Sequence, residues 1–232
     1  MRTLRKKLDK FIDILNEKDK INLLNQLKQL VSIYPFNEYE FIIANLFDKE
    51  KIKYDDYLNL RDEYLERNRY LYLYEMAPRT FGEIWGEKHI KELIEDIKSA
   101  KNNSYDLLLD DIKIEVKATR FVEKKSGSAL FEKALYFDEI DSKKFLVNFQ
   151  QLKPTLCDVF IWIGVFKDKI IYWVLSNEDV KNNKYFSSQH RQKEKKTETF
   201  EGQIMIQNNN FNEFDKYRVS AGKLYLKIKE KK

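Results

Sequence analysis

The stretch "DVFIWIGVF" at residues 158–166 carries apolar side chains at nearly every position, so both faces of an extended strand would be apolar. A strand with one face in solvent alternates apolar and polar residues, because successive side chains point to opposite sides. An unbroken apolar run is typical of an interior strand that is covered on both faces. The "KDK" turn and the strand "IIYWVLS" that follow predict a hairpin. We therefore expect this strand inside a sheet, with helices on both sides.

The first third of the chain has no glycine before Gly82, and only Pro35 and Pro78 interrupt it. Apolar residues recur there at intervals of three and four, with polar residues between them, which is typical of amphipathic helices. We predict an N-terminal helical region over residues 1–78 and a second region over residues 79–232. The helices are expected to pack on the chain's own core, with pairing to a second subunit as the alternative.

The remaining segments complete an α/β fold, in which helices flank a central mixed β-sheet. The apolar period predicts a helix over "FGEIWGEKHIKELIEDIKSA" (81–100) and another over "DSKKFLVNFQQL" (141–152), stopped by Pro154. Short strands are predicted at "EGQIMI" (201–206) and "GKLYLKIK" (222–229). A polar, basic loop is predicted between them and the central hairpin, at about residues 182–200.

Composition excludes several classes of protein. The single cysteine, Cys157, excludes an internal disulfide and any cysteine-based zinc site, which fits a reducing compartment. No apolar run approaches the roughly 18 residues that span a bilayer, so we expect a soluble cytoplasmic protein without a membrane partner. His89 and His190 lie too far apart in sequence for a local metal motif, and no serine lies in a Gly-x-Ser-x-Gly elbow. The net charge of +5 suits a polyanionic partner.

The segment "SYDLLLDDIKIEVKATR" at residues 104–120 predicts a tight β-hairpin. With Asp110 and Asp111 as a two-residue turn, Leu109 pairs with Ile112, and Asp106 then lies opposite Glu115. The period of two gathers apolar residues on one face, whereas the other face carries Asp106, Leu108, Lys113, Glu115 and Lys117. A four-residue loop would keep this facing, and a three-residue loop would reverse it.

Opposed carboxylates are the unusual feature of this hairpin. Like charges directly opposite each other destabilise a sheet, so Asp106 and Glu115 call for a compensating cation. A hard divalent ion such as Mg²⁺, which takes oxygen ligands, would supply it. Lys117 lies on the same face, where it could position a metal-bound water or stabilise the transition state. The alternative is a solvated face on which Lys113 and Lys117 pair with the acids for little net energy.

The run of Asp106, eight residues and then Glu115-Val116-Lys117 on a hairpin resembles the PD-(D/E)xK nuclease superfamily. Tyr105 stands where that motif usually has proline. A preceding helix with an acid matches "FGEIWGEKHI", and the resemblance implies Glu87 as a further metal ligand, with Glu83 as the alternative. It also implies a contact of the metal with the Val116 carbonyl.

Downstream, the segment around Gln150 and Gln151 resembles the glutamine-bearing helix and following strand pair of many type II restriction endonucleases. The stretch "SSQHRQ" followed by "EGQIMI" is similar to the DNA-contacting loop and strand of some of them. Side chains there are able to contact base edges and phosphates. The expected DNA-contacting residues are Gln150, Gln151, Gln189, His190, Arg191 and Lys193.

The resemblance implies a Mg²⁺-dependent type II restriction endonuclease that hydrolyses phosphodiester bonds of double-stranded DNA at a specific sequence, as a homodimer. Asp106, Glu115 and Lys117 would be catalytic, and Asp106, Glu115, Val116 and Glu87 would hold the metal. A structure-specific repair or junction nuclease of the same superfamily is one alternative. A DNA-binding module without activity is another.

Overall fold

The computed structural model describes residues 2–29, 35–100, 104–127, 129–188 and 201–232. The chain divides into two compact units, Met1–Arg69 and Tyr70–Lys232, so the division precedes the boundary predicted at Pro78. None of the described helices has both the length and the apolar character that a membrane crossing requires.

The first unit is helical, as its apolar spacing predicts. Its described residues form α1 (Arg2–Asp13), α2 (Glu17–Gln29), α3 (Pro35–Asp48) and α4 (Tyr54–Arg67). Proline suits the first position of α3, where a backbone N–H would have no partner within the helix. The four helices share one core, which includes the fully buried Leu8, Leu23, Ile43, Leu46 and Leu60.

The second unit holds the sheets. It opens with a 3-10 turn at Leu71–Tyr74 and a π-helical turn at Thr80–Trp85 that continues into α5 (Gly86–Leu93). The strands and helices that follow are β1 (Lys98–Ser99), β2 (Leu107–Leu109), β3 (Ile112–Arg120), α6 (Leu130–Lys133), β4 (Leu146–Leu152), β5 (Val159–Val165), β6 (Ile170–Ser176), α7 (Asn177–Lys181), β7 (Phe186–Ser188), β8 (Gly202–Gln207), β9 (Arg218–Val219) and α8 (Leu224–Glu230).

Six strands form a mixed sheet in the order β1-β2-β3-β5-β6-β9. The pair β3 and β5 is parallel, and the other neighbours are antiparallel. The second sheet is antiparallel, has three strands and runs in the order β4-β8-β7. The predicted α/β class with a central mixed sheet is thereby confirmed.

Strand β5 is buried along its whole length, which confirms the interior position predicted from its apolar run. On one face, Ile161 and Ile163 pack in a core that includes Ile90 of α5 and Ile228 of α8. On the other face, Trp162 stacks on Phe149 of β4, with 4.3 Å between ring centroids. The small sheet and a 3-10 helix at Phe211–Tyr217 complete that second core. Helices on both sides of β5 were therefore a wrong expectation, because mainly a sheet covers the second face.

Two segments differ in secondary structure from the prediction. The segment 141–152 is wrong as a helix, because its second half forms β4, in which Val147 and Phe149 point inward and Asn148 points outward. The segment 222–229 is wrong as a strand, because it forms a short 3-10 turn and α8. There Leu224 and Ile228, four residues apart, are fully buried. In both segments, apolar spacing fits either period over such a short stretch.

Two further boundaries differ from prediction. The helix expected over residues 81–100 ends at Leu93, and Lys98–Ser99 pairs with β2 as an edge strand. The basic loop predicted at about 182–200 contains β7, which pairs with β8. Residues 189–200 lie outside the described part of the chain.

Candidate active site

The hairpin has the register that the sequence predicts. Leu109 pairs with Ile112 and Leu107 with Ile114. The turn consists of Asp110 and Asp111, and Asp110 adopts the positive φ of 53° that such tight turns demand. The apolar side chains of both strands are buried on one face, so the polar residues of β3 share the other.

The C-terminal helix contacts the turn of this hairpin. The ammonium group of Lys229 pairs with the Asp110 carboxylate, and that of Lys232 pairs with Asp111. Both acids of the turn thus have a basic partner, which offsets the repulsion between adjacent carboxylates. The end of the hairpin away from the site is held by these ion pairs.

Asp106 lies one residue before β2, beside β3. Its backbone N–H donates to the Ile114 carbonyl at 3.0 Å, and its carboxylate Oδ2 accepts a hydrogen bond of 2.7 Å from the Val116 N–H. The carboxylate is therefore fixed next to the Glu115-Val116-Lys117 segment.

Glu115 is only 5% exposed, although it belongs to the polar face of the hairpin. Its Oε1 lies 2.5 Å from Nζ of Lys117. Burial raises the pKa of Glu115, the nearby Lys117 ammonium opposes that rise, and the negative charge of Asp106 adds to it. A solvated face, the alternative reading of these charges, does not describe a buried acid with a close ammonium partner.

Glu87 lies in the first turn of α5 and approaches the same group of charges. Burial raises the pKa of its carboxyl, and the charges of Asp106 and Glu115 raise it further. The structure thus brings Glu87 together with the two hairpin acids. The side chain of Glu83 lies outside the described part of the chain.

These residues line a cleft of about 350 Å³ in the second unit. Glu87, Asp106, Val116 and Lys117 lie on its wall, and Glu115 adjoins it through the ion pair with Lys117. Another part of the wall comes from β4. The complete lining is Pro78, Arg79, Gly82, Glu87, Asp106, Val116, Lys117, Ala118, Asn148, Phe149, Gln150 and Gln151.

Gln150 and Gln151 both reach the cleft, but from a strand instead of the predicted helix. The pairing of β4 with β8 shifts between Phe149 and Leu152, and Gln151 adopts a left-handed φ of 56°. In a regular strand two consecutive side chains point to opposite faces, whereas both glutamines are exposed here. The bulge therefore places two adjacent amides on the cleft side.

Sequence reasoning missed two further polar residues of the cleft, Arg79 and Asn148. Arg79 precedes the π-helical turn and adds a second cation to the lining of the cleft. Asn148 is an outward residue of β4. Neither belongs to a local motif, since both reach the site only through the packing of distant segments. The predicted DNA-contacting residues Gln189, His190, Arg191 and Lys193 lie outside the described residues.

Comparisons with protein-family models, with curated proteins and with solved structures find no match to this chain. The chemistry of the site therefore rests on the arrangement of its own residues.

The carboxylates of the cleft suit a hard cation. Glu87, Asp106 and Glu115 bring three acids near one another, and Lys117 and Arg79 line the same cleft. Among the described side chains, no three His, Cys, Asp or Glu residues are grouped tightly enough to hold a metal by themselves. Mg²⁺ is usually bound by one or two carboxylates together with substrate phosphates and water. The donor set of Asp106 and Glu115 fits that pattern.

Proposed function

We propose that this chain is a Mg²⁺-dependent nuclease of the PD-(D/E)xK kind that hydrolyses phosphodiester bonds of double-stranded DNA at a specific sequence. One observation supports this function above all. A buried Glu115 paired with Lys117 adjoins a cleft that Asp106 and Glu87 also line. Taking the Glu115 carboxylate out of water costs several kcal/mol, on the order of the penalty for any buried ion, so a purely structural role explains this acid poorly.

Asp106 and Glu115 would hold the metal, with the Val116 carbonyl and Glu87 as further oxygen ligands. Mg²⁺ would lower the pKa of a bound water and polarise the scissile phosphate. Lys117, kept in place by Glu115, would orient the attacking water for in-line displacement at phosphorus. Arg79 would contact the phosphate beside the one that is cut, as guanidinium groups commonly do. A 5′-phosphate and a 3′-hydroxyl would result.

The partner would be a duplex, and the enzyme would act as a homodimer. Two-fold symmetry presents the same cleft to each of two antiparallel strands, which suits symmetric double-strand cleavage. Such a type II restriction endonuclease is the favoured form of the proposal. A structure-specific repair or junction nuclease would use the same cleft. A binding module without activity is disfavoured by the cost of keeping Glu115 desolvated.

Unmodified phage DNA tests the function directly. The chain is incubated with the DNA in Mg²⁺ or in a chelator, and the fragments are separated by size. We expect discrete fragments in Mg²⁺ only. Glu115→Ala and Lys117→Ala should each slow cleavage by at least about 100-fold, on the scale of a lost acid–base group, while DNA binding persists.

Lys113→Ala is the matched control, since Lys113 lies on the same strand and the same face but is exposed and outside the cleft. It should cut at the wild-type rate. Wild-type cleavage by Glu115→Ala or Lys117→Ala would refute the assignment of the site. Cleavage of branched DNA alone would favour the junction nuclease, and binding without cleavage of any substrate would favour the inactive module.

A further inference from the structure

The outward face of the small sheet has an unusual composition. We call it the amide face and define it by six outward side chains of β4 and β8, which are Leu146, Asn148, Gln150, Gln203, Met205 and Gln207. The inward residues of the same strands, among them Val147, Phe149, Ile204 and Ile206, are buried in the core. Alternation along β8, and along β4 as far as its bulge, thus separates the two faces.

No residue of the amide face is charged, although charged residues make up 35% of the chain. Leu146 and Met205 are 40% and 42% exposed, and the other members are amides. An amide side chain offers both a donor group and an acceptor oxygen. Solvated sheet surfaces normally carry many charges, so this face has the chemistry of a hydrogen-bonding surface for a neutral polar partner.

The amide face continues into the cleft. Asn148 and Gln150 belong to both, and the Asn148 side chain donates to Oε1 of Gln203 on β8 at 2.9 Å. The Oδ1 atom of Asn148 is buried and has no hydrogen-bond partner among the described residues. A buried acceptor without a partner costs free energy, and rotation of the Asn148 side chain towards a donor of a ligand would relieve that cost.

We infer that the amide face recognises base edges in the major groove of the duplex whose backbone lies in the cleft, with a preference for adenine. This inference rests on the proposed function and deepens it. Asparagine and glutamine pair in bidentate fashion with the N6 and N7 atoms of adenine, and apolar side chains contact the thymine methyl group. Guanine is usually recognised by Arg or Lys, which this face lacks.

The dimensions of the strand pair β4 and β8 agree with binding in a DNA major groove. Neighbouring strands lie about 4.8 Å apart, and a pair of strands fits a major groove about 12 Å wide.

A second copy of the chain is the other candidate for the partner of the amide face. The cores of such interfaces are enriched in aromatic residues, methionine and arginine, and of these the amide face has Met205 but no aromatic residue and no arginine. Continuity with the cleft therefore favours DNA.

Selection from a duplex library tests the inference by a readout that does not need cleavage. Duplexes with a randomised centre are incubated with the full chain in Ca²⁺, and the bound fraction is sequenced. The wild type should enrich a motif that contains A·T pairs. Gln203→Ala and Gln207→Ala should each weaken the preference at one position by about tenfold or more, the scale of one bidentate contact.

Gln26→Ala, which removes an exposed glutamine from α2, is the control and should leave the motif unchanged. Thermal melting checks that each variant is folded. The inference is overturned if the wild type enriches no motif, or if both face variants keep it at full strength. It is also overturned if the variants instead convert a dimer to a monomer and the motif persists.

The phage DNA experiment separates the two proposals. Cleavage at fixed sites that Gln203→Ala and Gln207→Ala leave unchanged would retain the nuclease and refute the amide face. A motif that these variants weaken, without cleavage by the wild type, would support the amide face and refute the nuclease.

Discussion

The carboxylate of Asp106 accepts a hydrogen bond from the backbone N–H of Val116, 2.7 Å away. The last residue pair between β2 and β3 is Leu107 with Ile114, so this N–H lies beyond the ladder of the two strands. At this position the Asp106 carboxylate accepts the hydrogen bond that a backbone carbonyl of a paired strand would otherwise accept. The acid that we propose as a metal ligand therefore also fixes the strand that carries Glu115 and Lys117.

Asp106→Asn and Asp106→Ala should separate these two roles. Asparagine keeps an acceptor oxygen for the Val116 N–H but has no charge, so it should fold with nearly wild-type stability and fail to cut DNA. Alanine leaves a buried N–H without its acceptor, which costs about 1–3 kcal/mol. Urea unfolding measures the free energies of unfolding, and equal values for the two variants would contradict this reading of the contact.

The free energy of unfolding should depend on pH through Glu87. Burial and the charge of Asp106 raise the pKa of this carboxyl above its ordinary value of 4.5. As the pH rises through that value, the unfolded chain releases the proton while the folded chain retains it. The contribution of Glu87 to stability therefore falls with rising pH until the folded state also ionises.

Glu87→Gln removes this dependence, so its stability relative to the wild type should increase from about pH 4 upward, where free carboxyls ionise. Unfolding is followed by circular dichroism across that range without divalent cations. Glu92→Gln is the matched control, because Glu92 is exposed on the same helix and lies outside the cleft lining. Identical pH profiles for the two variants would count against a desolvated Glu87.

Gly164 lies in the middle of β5, where a side chain has no room. A Cβ there would approach Phe121 Cε2 to 2.8 Å and Trp173 Cζ3 to 2.9 Å. Gly164→Ala should therefore lower the free energy of unfolding by about 1–3 kcal/mol, as overpacked cores do. Gly222→Ala is the control, because a Cβ at that position meets nothing within 4 Å. A tolerated alanine at Gly164 would show that the rings around it can shift.

The hairpin could be predicted from sequence because everything that sets its register is local. The turn at Asp110 and Asp111 fixes the pairing, and the apolar period then decides that Asp106 and Glu115 belong to the polar face. The burial of Glu115 could not be predicted in this way. It depends on what packs over the strand, and a local pattern contains no such information.

The secondary structure of β4 could not be predicted from its local sequence. Its apolar residues 146, 147, 149 and 152 fit a helical spacing as well as alternation, and only the pairing with β8 settles the choice. The partner residue of Asn148 in β8 is Met205, far along the chain. Arg79 and Asn148 join the cleft for the same reason, through contacts between segments that the sequence separates.

Gln151 lies in a bulge, and its φ of 56° is in the left-handed region, which is unfavourable for most side chains. The left-handed conformation costs an L-residue about 1–2 kcal/mol, whereas glycine adopts it freely. Gln151→Gly should match or exceed the wild type in stability. Gln151→Val should be less stable than the wild type, because a β-branched side chain tolerates positive φ less well than glutamine does.

The same two substitutions at Gln150 are the control, because the φ of Gln150 is not in the left-handed region. At that position valine should be tolerated, and glycine should cost about 0.5–1 kcal/mol, as in an ordinary strand. Urea unfolding of the four variants would show whether the preference inverts between the two neighbours. If the preference inverts, Gln151→Gly keeps the bulge and removes one amide. Any loss of DNA cleavage by this variant is then caused by the missing side chain and not by a change in the backbone. Valine tolerated equally at both positions would mean that β4 continues without a bulge, and then the two glutamines could not both face the cleft.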